Sequence, residues 1–510
     1  MGVPFYENII GRYSCAMQSP LKQVQLARRR FMRLLLGAML AVVLVAAMAC
    51  SGPTPAPSPE SVFRPGACAG DYTGLTNKIE CGTLVVPETR GGPSTRQVAL
   101  PVTIVRASAP KPGAVPVVYL HGGPGAAAVE NLGDQLRDAG GRELIALDQD
   151  WIFFDQRGAG LSAPALDCGA VALTDAGPLT DAAAGQLTAC AGRLRASGVD
   201  LSRYNAEEVV KDIQDLRTAL KLDRIDLFGI SYGTRIALAA VKHAPDGVRA
   251  VVLDSPWTPE ATWAENGPAM VSDAVREIFN RCAADPACQS RYPTAAAQLD
   301  TLANKLLGGP QTVNGKTYTA DDLGAFLMDA AYSATGARAL PATAARFSTG
   351  NMAELDTHRA ERSSYHEAQH LTHLCKEEIP FENEATMRQR AQRDPVTRLL
   401  VSSMGRYFQV CRDYPVGPPD PVEAQPVSSE LPTLFLAAEI DPGCPAAVAK
   451  AAAARFPKGQ LSIIPNATHG VFEGSACART MIRKFLADPD APVDQSCLHP
   501  EHDKFKFTLE

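Results

Sequence analysis

Gly229-Ile230-Ser231-Tyr232-Gly233 is the stretch on which the reading of the whole chain turns. The apolar run Ile225-Asp226-Leu227-Phe228 before it has the character of a strand, and Thr234 to Val241 after it that of a helix. G-x-S-x-G between a strand and a helix is the pattern of a nucleophile elbow. The turn is sharp enough to strain the serine backbone, and glycine lets strand and helix approach each other closely. The hydroxyl is then presented above the sheet edge, at a helix N-terminus that favours developing negative charge. The pentapeptide is common in itself. Its meaning depends on whether the chain supplies a base, an acid and oxyanion donors.

A serine hydroxyl is a poor nucleophile near neutrality and needs a base, which a carboxylate must orient. His469, in Asn466-Ala467-Thr468-His469-Gly470, follows the last predicted strand, Gln460 to Ile464. Asp441 follows the strand before it, Pro432 to Ala438, and the order Ser…Asp…His is the one expected for an elbow of this kind. Asp254, at the end of the strand Val248 to Leu253, is the main rival acid, and Glu439 is two residues from Asp441. One oxyanion donor is expected from the backbone N–H of Tyr232. The other is expected from Gly123 or Gly122, in a glycine loop after the buried strand Val115 to Leu120.

Three segments together carry a resemblance: His121-Gly122-Gly123-Pro124-Gly125, Asp155-Gln156-Arg157-Gly158-Ala159-Gly160-Leu161-Ser162, and the elbow itself. The chain resembles the proline iminopeptidase and tripeptidyl aminopeptidase branch of the α/β-hydrolases. The likeness continues through Leu374 to Phe381 and on to Cys497, covering nearly all of residues 66–497. It implies an α/β fold with a mostly parallel sheet, a helical cap over the active site, and a serine exopeptidase or related hydrolase that needs no cofactor. Glu377 and Glu378 match the family's acidic pair after the cap cysteine, and Glu377 is the first candidate for holding a free substrate amine. The opposing reading makes both solvated charges at the cap–core junction. The family's usual Asp-x-x-Thr-Pro is here Asp441-Pro442-Gly443-Cys444-Pro445, which leaves a thiol beside the expected acid.

The organisation follows from the pattern. Strand and helix alternate through a first core segment, residues 66–257. A mostly helical stretch, 258–425, interrupts the sheet between its sixth and seventh strands. Alternation resumes over 426–497, and 498–510 forms a tail. His366-Glu367-Ala368-Gln369-His370, with His373 beyond, is an H-E-x-x-H pattern. On a helix its outer histidines could bind zinc, but the metzincin glycine is missing, and a polar cap helix without metal is the favoured reading.

The chain has 510 residues, 46% of them apolar and 20% charged, as in an ordinary globular protein. Residues 1–49 hold six Lys/Arg and one Glu, so the formal net charge of −6 becomes −11 for the remainder. That balance argues against nucleic acid as a partner. Arg28-Arg29-Arg30-Phe31-Met32-Arg33 and the apolar run Leu34 to Ala49 read as an export signal. Cys50 and the Pro/Ser-rich tether over 50–65 favour a lipid-anchored envelope protein, with simple cleavage after Ala49 as the alternative. Sequence order suggests the disulfides Cys68–Cys81, Cys168–Cys190, Cys282–Cys288, Cys375–Cys411 and Cys477–Cys497, although spacing alone cannot establish connectivity. The family resemblance implies the last two pairs as well. The expected activity is removal of residues from peptide N-termini. A carboxylesterase with the same triad is the runner-up, and a non-enzymatic binding lipoprotein stands behind both.

Overall fold

The computed structural model describes residues 61–91, 96–145, 149–169, 179–360, 365–498 and 505–509. The expected export signal, Cys50 and most of the tether lie outside the described residues. No helix among the described residues is long and apolar enough to cross a membrane.

A nine-stranded sheet runs in the order β1-β2-β3-β5-β4-β6-β7-β10-β11. Its strands are β1 (Val62–Pro65), β2 (Ile79–Pro87), β3 (Gln97–Val105), β4 (Val117–Leu120), β5 (Trp151–Phe154), β6 (Ile225–Ile230), β7 (Val248–Asp254), β10 (Thr433–Ala438) and β11 (Gly459–Ile464). The pairs β1–β2, β2–β3 and β3–β5 are antiparallel, and every pair from β5 through β11 is parallel. Central strands are buried on both faces, which is why they read as continuous apolar runs. Alternate residues feed two cores. Val118, Leu120, Val251 and Leu253 face one, with the helices Ala206–Ala219 and Tyr232–His243. Val117, Tyr119, Ala250 and Val252 face the other, with the helix Ala476–Ala487.

One expectation needs correction. The sheet gains the edge strand β1, so the insertion leaves after the seventh strand and returns at the eighth, not between the sixth and seventh. β1 is four residues long and largely exposed, so it carries no apolar alternation to reveal it. The insertion is mostly helical and also carries a hairpin of β8 (Gln311–Val313) and β9 (Lys316–Tyr318), closed by Asn314 and Gly315 at positive φ. The end of the tail is docked: Phe505 is buried, and the Thr508 N–H donates to the Arg338 carbonyl at 3.0 Å. The five cysteine pairs expected from sequence order are those the structure joins, and Cys444 is a buried free thiol.

Candidate active site

Parallel strands place their carboxyl ends side by side, and functional loops gather there. Ser231 leaves β6 with φ 55° and ψ −126°, a strained conformation for a residue with a side chain. The flanking glycines explain how the turn is tolerated. A Cβ on Gly229 would lie 2.5 Å from the Gly233 carbonyl oxygen, and one on Gly233 would lie 2.0 Å from that of Leu120. The Ser231 N–H donates to the Asp254 carbonyl at 2.9 Å, which ties the elbow to the end of β7.

Asp441 stands in the loop after β10 and His469 in the loop after β11. His469 Nδ1 lies 2.9 Å from Asp441 Oδ2, and Asp441 Oδ1 accepts the N–H groups of Gly443 and Cys444 at 2.9 and 2.8 Å. Burial works to raise the Asp441 pKa, but the imidazole and the two N–H groups outweigh it and hold the carboxyl below its usual range. Burial works to lower the His469 pKa, yet the Asp441 charge and hydrogen bond leave it above its ordinary value. The pairing separates the two candidate acids. Asp254 instead accepts the N–H groups of Val471 and Phe472, each at 2.9 Å, and Ser255 Oγ accepts that of Gly470 at 3.0 Å. Asp254 therefore anchors the backbone behind the histidine, and its burial lifts its pKa to about 6. Glu439 sits farther out, in an ion pair with Arg281 at 2.9 Å.

The glycine loop after β4 lies directly over the serine. A Cβ on Gly122 would be 2.8 Å from Ser231 Cβ, so only glycine brings the backbone this close. Gln156 Nε2 holds the loop by donating to the His121 carbonyl at 2.9 Å. Asp155 accepts the N–H groups of Ala128, Val129 and Leu161 at 2.7, 2.9 and 2.7 Å. Arg157, fully buried, pairs with both oxygens of Asp212 at 2.7 Å. The second glycine-rich motif thus braces the first.

The H-E-x-x-H helix serves the same loop. All seven residues of Glu367–His373 are buried, so this is a packed junction and not the polar cap helix expected. The His366 N–H donates to the Gly125 carbonyl at 2.9 Å, and His370 Nδ1 lies 3.1 Å from the Pro124 carbonyl. Among the described residues its His and Glu side chains form no group of three or more that could hold a metal ion.

Glu377 and Glu378 depart from the expectation of solvated charges. They are buried, not solvated, and sit beneath the elbow. Glu377 accepts from the Ala206 N–H at 2.6 Å, the Tyr232 hydroxyl at 2.5 Å and Arg235 Nε at 3.2 Å, and His373 Nδ1 lies 3.0 Å away. A substrate amine would have to displace Arg235 or Tyr232 to reach it. Glu378 Oε1 accepts from Trp257 Nε1 at 2.9 Å and lies 2.5 Å from Arg235 Nη1, an ion pair without hydrogen-bond alignment at that nitrogen. Arg235, His373 and Trp257 are partners that sequence reading missed, because buried polar contacts between distant segments leave no local pattern. The same holds for Tyr332, whose ring meets that of His469 edge-on at 4.8 Å between centroids.

Residues 115–476 match the family described as alpha/beta hydrolase fold. The chain is 25% identical over 209 residues to a proline iminopeptidase of Heyndrickxia coagulans, covering 40% of this chain and 58% of that protein. It is 29% identical over 228 residues to serine protease Hip1 of Mycobacterium tuberculosis, covering 42% and 43%. It is 27% identical over 202 residues to a tripeptidyl aminopeptidase of Streptomyces lividans, covering 37% of each. The alignments therefore span roughly half of these relatives or less. The crystal structure of a Mycobacterium smegmatis proline iminopeptidase superposes with a TM-score of 0.40 and 16% identity, over 80% of this chain and 98% of that one.

Proposed function

The chain belongs to the α/β-hydrolase fold family, and on that premise we propose that it is a serine hydrolase releasing residues from the N-terminus of peptides. The observation that carries this reading is the Asp441–His469 pair beside a strained serine elbow. Ser231 Oγ attacks the scissile carbonyl, and His469 Nε2 takes its proton. The tetrahedral oxyanion forms against the Tyr232 N–H and an N–H of Gly123 or Gly122. His469 then delivers the proton to the leaving amine, and water resolves the acyl-enzyme by the same steps in reverse. Asp441 holds the proton on Nδ1, so that Nε2 is free to accept. The peptidase names of the relatives support peptides as the substrate class. A carboxylesterase using the same triad is the second reading, since nothing in the triad distinguishes an amide from an ester. We place the enzyme outside the cytoplasm, lipid-anchored at Cys50 or released after Ala49, a setting that suits its five disulfides.

A substrate panel tests the reading. Aminoacyl-, prolyl- and tripeptidyl-anilides with free and blocked amines are compared with short acyl esters, before and after treatment with a fluorophosphonate. Hydrolysis of free-amine anilides, abolished by the reagent together with a mass increase on the Ser231 peptide, is expected. Turnover of esters alone would leave the esterase reading in its place.

The pH profile is a further expectation. The base must be neutral to act, and Asp441 raises the His469 pKa. The acid limb of kcat/KM should therefore fall above the ordinary imidazole value of about 6.5. Initial rates between pH 5 and 9 check this.

A further inference from the structure

Cys444 occupies an unusual place. Asp441, Cys444 and His469 each bring one possible ligand atom within 4.8 Å of the other two, and among the described residues no other group of three or more does so. Cys444 is free of any disulfide. Asp441 and Cys444 are buried, and His469 is the member of the trio that borders open space. A groove of about 620 Å³ is bordered by Tyr332 and His469, and one of about 280 Å³ by Gly443.

Carboxylate, thiolate and imidazole together suit a borderline divalent cation such as zinc or cobalt, with a fourth position left for water from the groove. The hard ions magnesium and calcium would find too few oxygen atoms. Bonds of about 2.0–2.3 Å require the three ligand atoms to draw together by roughly 1 Å at the widest gap, within reach of side-chain rotation.

We propose that Asp441, Cys444 and His469 form an inhibitory site for a divalent cation of the zinc class, which switches the hydrolase off. The inhibition rests on the triad reading above; the binding does not. The imidazole nitrogen facing Asp441 is Nδ1. A cation bound there displaces its hydrogen, and the neutral ring then carries its proton on Nε2. That nitrogen can no longer accept the Ser231 proton. The Cys444 thiol proton leaves to solvent as the metal–sulfur bond forms, and no change of oxidation state is involved. The ion is an inhibitor and not a cofactor. Serine or threonine at 444 would lack the soft ligand that makes this site selective.

The test uses the full chain freed of metal with a chelator, titrated with cobalt chloride and with zinc chloride. Wild type should show thiolate-to-cobalt charge-transfer absorption, which Cys444→Ser should lack. Low-micromolar zinc should suppress wild-type turnover by more than about tenfold, since a wrong imidazole tautomer lowers kcat by up to ~10⁴ in a triad. Chelator should restore the rate, and zinc should leave the rate of Cys444→Ser at that variant's own metal-free value. Absence of the cobalt band in wild type, or equal zinc inhibition of wild type and Cys444→Ser, would overturn the proposal. The band needs no turnover. Its presence in a protein that hydrolyses none of the substrates would uphold the cation site and refute the hydrolase reading instead.

Discussion

Replacing Ser231 by Ala is expected to lower kcat by about 10⁶, and replacing Asp441 by Asn by about 10⁴, with protein concentration and fold unchanged. The second number discriminates. Asn at 441 can offer its N–H₂ to the imidazole, which then places its proton on Nε2 and cannot act as base. Asp254→Asn should behave differently. Asp254 accepts two backbone N–H groups and does not touch the His469 ring through a hydrogen bond. An amide there turns one acceptor into a donor facing an N–H. The result is a loss of stability of about 1–3 kcal/mol and a much smaller fall in kcat. Steady-state kinetics of the three variants, with urea unfolding alongside, separate the acid from its neighbour. A ten-thousandfold loss in Asp254→Asn with a mild Asp441→Asn would reverse the assignment.

Glu377→Gln is expected to destabilise the protein by about 3–5 kcal/mol, the usual loss when one member of a buried ion pair is neutralised. Its carboxylate joins the start of the helix Ala206–Ala219, the elbow helix and the insertion through Ala206, Tyr232, Arg235 and His373. Burial alone would raise its pKa, but His373, Arg235 and Tyr232 together hold it at about 2. Glu378 shares the same guanidinium but is pushed well up by burial. Glu378→Gln removes a charge that burial already disfavours and should be milder. The pH dependence follows with the sign of a depressed acid. The Glu377 contribution is fully present above the ordinary glutamate value near 4.5 and is lost as pH falls through about 2. Wild type should therefore lose more stability over that window than Glu377→Gln does. Tyr232 supplies the expected oxyanion N–H as well as the phenol, so kcat should fall too. Urea unfolding at pH 7, 4 and 2.5 reads the effect. Equal stability of Glu377→Gln and wild type would show that the network is incidental.

The strands and the elbow were legible because their signals are local. β5 reads from Trp151 to Phe154 on apolar continuity alone, and the elbow glycines are required by contacts within a few residues of Ser231 and with the neighbouring strand. β1 and the β8–β9 hairpin were not legible, since short exposed strands depend on pairing more than on their own composition. The burial of Glu377 and of the H-E-x-x-H helix was not legible for a related reason. A charged motif on paper carries no mark of what will bury it.

Sequence by itself pointed to the family and to Ser231, Asp441 and His469 as the candidate nucleophile, acid and base, because catalysis at a strand end demands particular residue types at particular turns. Only the tertiary structure paired His469 with Asp441 and not Asp254, buried Glu377 against Tyr232 and Arg235, and brought Cys444 close to Asp441 and His469. Those are questions of which polar groups meet across segments far apart in the chain. Distance and desolvation settle them, and neither is written in local order.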